Sequence, residues 1–178
     1  MTVCSVVVAK ARGCITIAWA IAGLAGTAGD LFAQSNASIV GVWAEVLTAH
    51  NCETNAPLGP GGPPGRALVT FHQDGTSFES IVLVLFAPGQ RTIGHGSWTH
   101  SGGATYVDKS VVLVGFDTPP NTPSGSPGFR AGWIVSTNTV TMIGADRFES
   151  TSVTRFYDVN RAEYRPPTCA SRVAERFR

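Results

Sequence analysis

The chain has 178 residues, 43% of them hydrophobic and only 14% charged, so it can bury the core of one domain. Its 20 glycines and 11 prolines supply many turn residues, as a chain of many short strands requires. The formal net charge is +1 and no Lys- and Arg-rich run is interleaved with aromatic residues, which argues against binding to nucleic-acid phosphates.

The N-terminal segment is typical of a secretion signal. Lys10 and Arg12 form a short cationic region ahead of an apolar run from Cys14 to Thr27. That run has the length of a signal-peptide core and is short for a membrane span, which needs about 20 apolar residues. An uncleaved membrane anchor is the alternative interpretation.

Small residues follow the apolar run, and we predict cleavage after Ala33, with Ala28 as the second choice. The chain is therefore expected to contain a signal peptide over 1–33 and a single folded domain over 34–178. Such a protein is secreted or periplasmic, and it has no stable membrane span once the signal is removed.

Removal of the signal leaves two cysteines, Cys52 and Cys169, one near each end of the mature chain. Two cysteines in a secreted domain predict a single disulfide. The alternative is a metal-binding or nucleophilic cysteine. Neither a CxxC spacing nor a neighbouring pair of histidines accompanies these residues.

Alternating apolar and β-branched residues, interrupted by turn residues, predict short strands along the mature chain. The first five strands are expected in these segments: Ser38–Ala49, Arg66–His72, Thr76–Phe86 and, as a hairpin of two, Arg91–Phe116. Asp74–Gly75 and Ser101–Gly103 are the predicted tight reversals of this region. Two long stretches, His50–Pro64 and Asp117–Pro127, are too rich in Gly and Pro for regular structure.

The second half of the chain continues the pattern with three more predicted strands: Gly128–Ser136, Thr139–Gly144 and Arg147–Asp158. Thr137–Asn138 and Ala145–Asp146 are the predicted turns between them. The segment Thr168–Phe177 alternates weakly and could return beside the first strand. No stretch keeps a 3.6-residue apolar period, so little helix is expected. We therefore predict an all-β fold, an eight-stranded antiparallel up-and-down β-barrel, in preference to a Greek-key sandwich.

A barrel of eight strands can be filled by side chains or can hold one small ligand. One face of the segment predicted as the eighth strand carries these residues: Phe148, Ser150, Ser152, Thr154 and Phe156. If this row points inward, the interior has room for a ligand. If it points outward, it is an ordinary solvated face.

Gly41-x-Trp43 on the first predicted strand resembles the lipocalin and wider calycin pattern. The resemblance implies a lipocalin-like barrel in which this Trp closes one end and an Arg near the last strand packs across it. Arg155, or alternatively Arg165, is the candidate for that Arg. The sequence departs from the pattern because it has no Thr-Asp-Tyr motif between strands six and seven and no clear C-terminal helix.

The chain also resembles a family of small secreted bacterial proteins that are lipocalin-like and of uncharacterised function. The resemblance covers nearly all of the mature chain and rests on these segments: Gly41-Val-Trp43, Asn51-Cys52, Thr70-Phe71-His72, Asp74-Gly75, Pro88-Gly89-Gln90-Arg91, Gly94-His95-Gly96-x-Trp98, Phe156-Tyr157-Asp158 and Thr168-Cys169-Ala170. It implies a fold and an exported location, and it brings no established activity.

Residue patterns that would assign a reaction are weak in this sequence. No i, i+2 pair on one strand face, which could bind a metal, occurs among the four mature-chain histidines: His50, His72, His95 and His100. A metal site would have to be assembled across strands, so we predict no metal and no cofactor. The Gly-x-Ser-x-Gly elbow of a serine hydrolase is not found either.

Acidic residues within the predicted strands leave one catalytic alternative open: Glu45, Glu79, Asp108 and Glu149. An inward carboxylate beside an inward Arg, such as Arg130 or Arg155, would resemble a cyclase or isomerase site. Charges on strands more often belong to the solvated face or to cross-strand pairs.

The candidate ligand-binding residues are side chains that could line or plug a barrel: Trp43, His95, Trp98, Tyr106, Arg130, Trp133 and Arg155. Core packing is the alternative role for the aromatic ones. Three hypotheses for function follow. The first is a barrel that binds a small apolar or amphipathic molecule, with a small hydrophobic ligand as its partner. The others are a filled structural barrel that acts through its loops, and a cyclase or isomerase.

Overall fold

The computed structural model describes residues 38–58, 64–119 and 128–178. These residues form eight strands: β1 (Gly41–Asn51), β2 (Gly65–Phe71), β3 (Thr76–Val82), β4 (Gly94–Gly102), β5 (Thr105–Val114), β6 (Gly132–Met142), β7 (Arg147–Asp158) and β8 (Glu163–Arg176). Each strand pairs antiparallel with the next and β8 pairs with β1, so the sheet closes into a barrel. The predicted all-β barrel is confirmed, whereas the predicted signal peptide lies outside the described residues. In the described ranges no helix is long and apolar enough to cross a membrane.

Two errors in the predicted strands compensate each other, so the count of eight is still correct. The predicted turn at Thr137–Asn138 lies in the middle of β6, which runs without interruption. Asn138 is typical of turns, but its buried side-chain amide donates a 2.8 Å hydrogen bond to Asp108, which holds it inside the barrel. The eighth strand is instead the C-terminal segment β8, which returns beside β1.

Strand β3 ends at Val82, whereas the sequence pattern predicts that it continues to Phe86. Leu85 and Phe86 leave the ladder and pack against a buried cluster that includes Phe129 and Phe156. These two apolar residues therefore contribute to the interior of the barrel.

One end of the barrel, called the core end below, is closed by packed aromatic side chains. Trp43 is fully buried, and its ring makes an edge contact with Phe148 at a centroid distance of 4.9 Å. Its indole Nε1 donates a 2.7 Å hydrogen bond to the carbonyl oxygen of Ile39. The Arg176 guanidinium lies 4.2 Å from the centre of the Trp43 ring. Arg176 is thus the arginine that packs across this tryptophan, and the predicted Arg155 lies on the outer surface.

At the opposite end, called the loop end below, lie the last residues of β1, β3, β5 and β7. The row of residues on β7 points into the barrel, since Ser150, Ser152 and Phe156 are buried and Thr154 is half-buried. Short side chains in the middle of the barrel fill less volume than the aromatic residues at its core end. The core end is therefore filled by one buried cluster, and a second buried cluster, which includes Phe129 and Phe156, lies at the loop end.

Gly132, at the start of β6, has a backbone conformation that disfavours any side chain. Its φ is 145°, and a Cβ atom would lie 2.2 Å from the carbonyl oxygen of Tyr157. We expect Gly132→Ala to lower the free energy of unfolding, measured by urea titration, by about 2–3 kcal/mol. Gly144→Ala is the matched control because a Cβ there meets no atom within 4 Å. Equal losses in the two variants would contradict this explanation.

Candidate functional site

A cavity of about 360 Å³ occupies the loop-end half of the barrel interior and is called the loop-end cavity below. Its wall is mainly apolar and includes these side chains: Leu47, Ile81, Leu83, Leu85, Val112 and Ile134. A few charged side chains also reach the wall: Glu79, Arg91, Arg165 and Arg172. Small-molecule sites are typically spaces of roughly 300–1,000 Å³ with apolar walls and a few polar groups. The loop-end cavity has this form.

A buried ion cluster lies at this cavity. Alternation along β1, β3 and β8 turns Glu45, Glu79 and Arg172 toward the interior, where they are 4%, 6% and 6% exposed. Nη1 of Arg172 lies 2.9 Å from Oε2 of Glu45 and 2.5 Å from Oε1 of Glu79. Nη2 of Arg91, which precedes β4, lies 3.9 Å from Oε2 of Glu79. Glu79 is therefore shared between two guanidinium groups.

Burial and pairing act in opposite directions on the pKa values of this cluster. Burial raises the pKa of Glu45, and the neighbouring Arg172 offsets that effect only in part. Burial by itself lowers the pKa of Arg172, but Glu79 and Glu45 outweigh it, so the pKa of Arg172 is raised. Burial lowers the pKa of Arg91, and Glu79 restores it only in part. Arg172 is thus a firmly charged centre, whereas Glu45 takes up a proton more readily than it would in water.

A second buried carboxyl group belongs to Asp108 on β5, which is 5% exposed. Ser77 Oγ donates a 2.5 Å hydrogen bond to its Oδ1, and Asn138 Nδ2 donates a 2.8 Å bond to its Oδ2. Burial raises the pKa of Asp108 by more than these two hydrogen bonds lower it. The barrel interior therefore holds two carboxyl groups, Glu45 and Asp108, whose neutral forms are favoured by folding.

Glu45 and Asp108 should make the barrel less stable as the pH rises. Their raised pKa values mean that the native state binds more protons than the unfolded state above the ordinary values of 4.5 and 3.8. Their contribution to the free energy of unfolding is full below those ordinary values and is lost as the pH passes through the raised ones. We expect urea titrations between about pH 4 and pH 8 to show this decline.

The variant Glu45→Gln/Asp108→Asn should remove this part of the decline, because neither new side chain titrates. Glu149→Gln is the matched control, since Glu149 lies on the outer surface beside Arg147. The explanation is wrong if the double variant and the wild type lose stability with pH at the same rate.

Three buried guanidinium nitrogens of the cavity-lining arginines have no hydrogen-bond partner among the described residues: Nε of Arg91, Nη1 of Arg165 and Nε of Arg172. Leaving a buried donor without an acceptor costs about 1–3 kcal/mol, and native proteins rarely do so. These donors are therefore available to an oxygen atom of a small molecule or of water in the cavity.

Three of the predicted ligand-binding residues lie at the core end. Trp43 and Tyr106 belong to its buried cluster, and Trp98 packs against that cluster. The rings of Trp98 and Tyr106 are 5.6 Å apart, and Trp98 Nε1 donates a 3.0 Å hydrogen bond to the carbonyl oxygen of His72. All three residues therefore have the packing role that the sequence leaves open as the alternative.

The other four predicted residues lie on the outer surface: His95, Arg130, Trp133 and Arg155. Arg155 pairs with Glu163 at 3.0 Å, and the His95 ring contacts that of Phe78 at a centroid distance of 5.0 Å. Trp133 is half-buried and lines a shallow groove on the outside of the barrel. The loop-end cavity is lined by none of the seven predicted residues, and their contact with a ligand stays a prediction.

The arginines of the cavity are not among the ligand-binding residues that the sequence predicts. One signal for Arg172 exists, because Ala170 and Ala174 share its strand face and leave room for a long inward side chain. The sequence pattern suggests Arg165 only as a partner of Trp43. In the structure its guanidinium lies over the Phe129 ring instead. Arg91 reaches Glu79 from a segment outside the strands, which strand alternation does not address.

The predicted disulfide is confirmed. Cys52 and Cys169 are bonded, with their Cα atoms 5.0 Å apart and 117 positions apart in the sequence. The bond ties the segment after β1 to β8 at the loop end, and Cys169 lines the cavity. Disulfides of this kind are typical of proteins in oxidising compartments.

Comparisons with known proteins do not assign a function. A scan against protein-family models and a search of curated proteins both found no match to this chain. The loop-end cavity and its charged groups are therefore the features of the structure that indicate a function.

Proposed function

We propose that this protein binds a small amphipathic molecule in the loop-end cavity. The proposal is carried by one observation, an interior space of about 360 Å³ with apolar walls and unpartnered guanidinium donors. The walls suit an apolar ligand body, because burial there removes apolar surface from water. The donors suit a polar group on the same molecule. A barrel filled by its own side chains would need neither feature.

We also infer that the protein works outside the cytoplasm, either secreted or in the periplasm. The Cys52–Cys169 bond supports this location because structural disulfides persist in oxidising compartments. The cationic and apolar residues at the N-terminus of the sequence support it independently.

Binding can be tested with the oxidised protein and the neutral dye Nile red, whose fluorescence rises in an apolar site. We expect saturable binding of one dye per chain with a Kd of about 1–10 μM, a range typical of an imperfectly matched apolar ligand. Native mass spectrometry of the same preparation should reveal any molecule that is purified with the protein. No saturable dye binding together with the mass of the bare chain would overturn the proposal.

Matched variants show whether the dye occupies the cavity. Ser152 lines the cavity, and its Oγ has no partner among the described residues, so its replacement breaks no hydrogen bond there. We expect Ser152→Phe to fill the space and weaken Nile red binding by about tenfold or more. Thr151→Phe, at the adjacent exposed position, should bind like the wild type. Thermal unfolding of both variants shows whether each is folded, and equal dye affinity in the two folded variants would contradict binding in the cavity.

A second candidate function, a cyclase or isomerase, is favoured by Glu79. Its carboxylate lines the cavity and lies 2.5 Å from Arg172 and 3.9 Å from Arg91. A carboxylate in this setting can remove a proton from a carbon beside a carbonyl group and return it to another carbon. The nearby guanidinium N–H groups can stabilise the oxygen anion that forms. Such a reaction gives an isomer of the same mass.

Catalysis and binding can be distinguished with a molecule that is released from the purified protein. If the barrel is an isomerase, the wild type converts this molecule to a product of equal mass and different chromatographic retention. Glu79→Gln should lower the rate by about 100-fold or more, because it removes the base. Unchanged retention after incubation with the wild type would exclude this reaction for that molecule and leave the binding function in place.

A further inference from the structure

Arginine side chains are the main charged groups in the wall of the loop-end cavity. Three guanidinium groups line it, those of Arg91, Arg165 and Arg172. Two carboxylates face them, since Glu79 lies beside Arg91 and Arg172, and Glu45 lies beside Arg172. Arg91 and Arg172 therefore have carboxylate neighbours, and Arg165 is the cavity arginine that has none among the described residues.

Arg165 is held at the cavity wall by aromatic rings. This residue forms no ion pair with any residue that the structure describes, and its Nη1 is buried without a hydrogen-bond acceptor. Its guanidinium lies 5.1 Å from the centre of the Phe129 ring and 4.7 Å from that of Phe156. The two rings hold the cation at the cavity wall by cation–π contact, which uses none of its N–H hydrogens, so Nη1 remains available as a donor.

Arg91 borders the same layer of aromatic rings. Its guanidinium lies 5.6 Å from the centre of the Phe86 ring, which stacks on Phe129 at a centroid distance of 4.2 Å. The 3.9 Å separation from Glu79 is too long for a hydrogen bond, and Nε of Arg91 has no acceptor among the described residues. Arg91 is therefore a second donor at the cavity wall.

We propose that the ligand carries a carboxylate, that Arg165 binds this group, and that the apolar body of the ligand lies against Ile81, Leu83 and Val112. The proposal rests on the proposed binding function, because it concerns the same cavity. A guanidinium can donate two parallel N–H bonds to a carboxylate, and such charge-assisted bonds are strong in apolar surroundings. A carboxylate also supplies the counter-charge that Arg165 lacks among the described residues. A neutral ligand would leave Arg165 without a counter-charge, and a cationic ligand would be repelled.

Competition against Nile red can test the proposal with matched pairs of small molecules. One pair is flexible, decanoic acid and decanol, and the other is aromatic, naphthoic acid and naphthylmethanol. We expect at least one acid to bind about tenfold more tightly than its alcohol, as one charge-assisted contact predicts. Decylamine should bind more weakly than decanol.

Substitutions of single arginines show which side chain causes the preference for acids over alcohols. Arg165→Gln should lower the affinity for the preferred acid by about tenfold more than the affinity for its alcohol, because the charge-assisted contact is made only with the acid. Arg165→Lys should restore part of the preference. Arg147→Gln is the matched control, because Arg147 pairs with Glu149 on the outer surface, and it should not change either affinity.

The possible results of these measurements distinguish failure of the carboxylate proposal from failure of ligand binding itself. Acids and alcohols that bind equally, in both the wild type and Arg165→Gln, would overturn the carboxylate proposal and leave ligand binding intact. A preference for acids that persists in Arg165→Gln would overturn the role of Arg165. Failure of Nile red itself to bind would overturn the binding function, and the inference with it.

Discussion

Replacement of Arg172 by methionine is expected to lower the free energy of unfolding by about 3–5 kcal/mol at neutral pH, measured by urea titration. Among the residues that the structure describes, Arg172 is the one cation that contacts both Glu45 and Glu79, at 2.9 Å and 2.5 Å. Methionine keeps most of the side-chain volume but leaves two neighbouring carboxylates in an interior where charge is poorly solvated. The loss arises from those unpaired charges more than from the missing attraction.

This explanation predicts rescue by removal of the same charges. Adding Glu45→Gln and Glu79→Gln to Arg172→Met should recover part of the lost free energy, since the two stranded carboxylates are then neutral. Recovery is incomplete because Arg91, which lies 3.9 Å from Glu79, loses its own ion partner. Lowering the pH should recover part of it in Arg172→Met itself, because the stranded carboxyl groups become protonated. If neither change restores stability, the loss reflects packing of the arginine side chain instead.

A surface pair provides the matched control for the arginine-to-methionine change. Arg147 lies 3.1 Å from Glu149, and both side chains are about half exposed. Arg147→Met should cost no more than about 1 kcal/mol, because water solvates the remaining carboxylate. A similar loss at both sites would mean that burial is not the cause.

Much of this barrel can be predicted from strand alternation. Successive side chains of a strand point to opposite faces, and this pattern can be recognised within a few residues of sequence. It places apolar residues such as Trp43 and Val69 on one face of their strands, and those faces are buried. It fails at Thr137–Asn138, where the turn-like residue Asn138 is fixed by a partner 30 residues away. A contact of that kind depends on which strands become neighbours in the barrel. It therefore cannot be predicted from the residues that surround Asn138 in the sequence.

The candidate site is harder to predict for the same reason. The carboxylates Glu45 and Glu79 can be identified within strands, but which arginine meets them depends on barrel closure. Closure sets β8 beside β1, and Arg172 then lies within reach of Glu45 although 127 positions separate them. The sequence suggests Arg130 or Arg155 for this role. Arg155 lies on the outer surface because its side chain alternates to the opposite face of β7, and Arg130 is exposed in the segment that precedes β6.

Loss of the disulfide is expected to have an effect as large as that of the Arg172 replacement. The double variant Cys52→Ser/Cys169→Ser should lower the free energy of unfolding by about 4–5 kcal/mol, as the chain-entropy relation gives for a loop of this length. The bond closes a loop across 117 positions, which includes nearly the whole barrel. Cys52 is exposed, so its replacement by serine removes little native packing.

The slope of the urea titration distinguishes the cause of this loss. A cross-linked unfolded chain is compact, so removal of the bond should increase the surface exposed on unfolding and raise the m-value. Reduced wild-type protein should match the double variant in both midpoint and slope, because it lacks the same constraint. A loss below about 1 kcal/mol with an unchanged slope would show that the closed barrel already restrains the two ends of the chain without help from the bond.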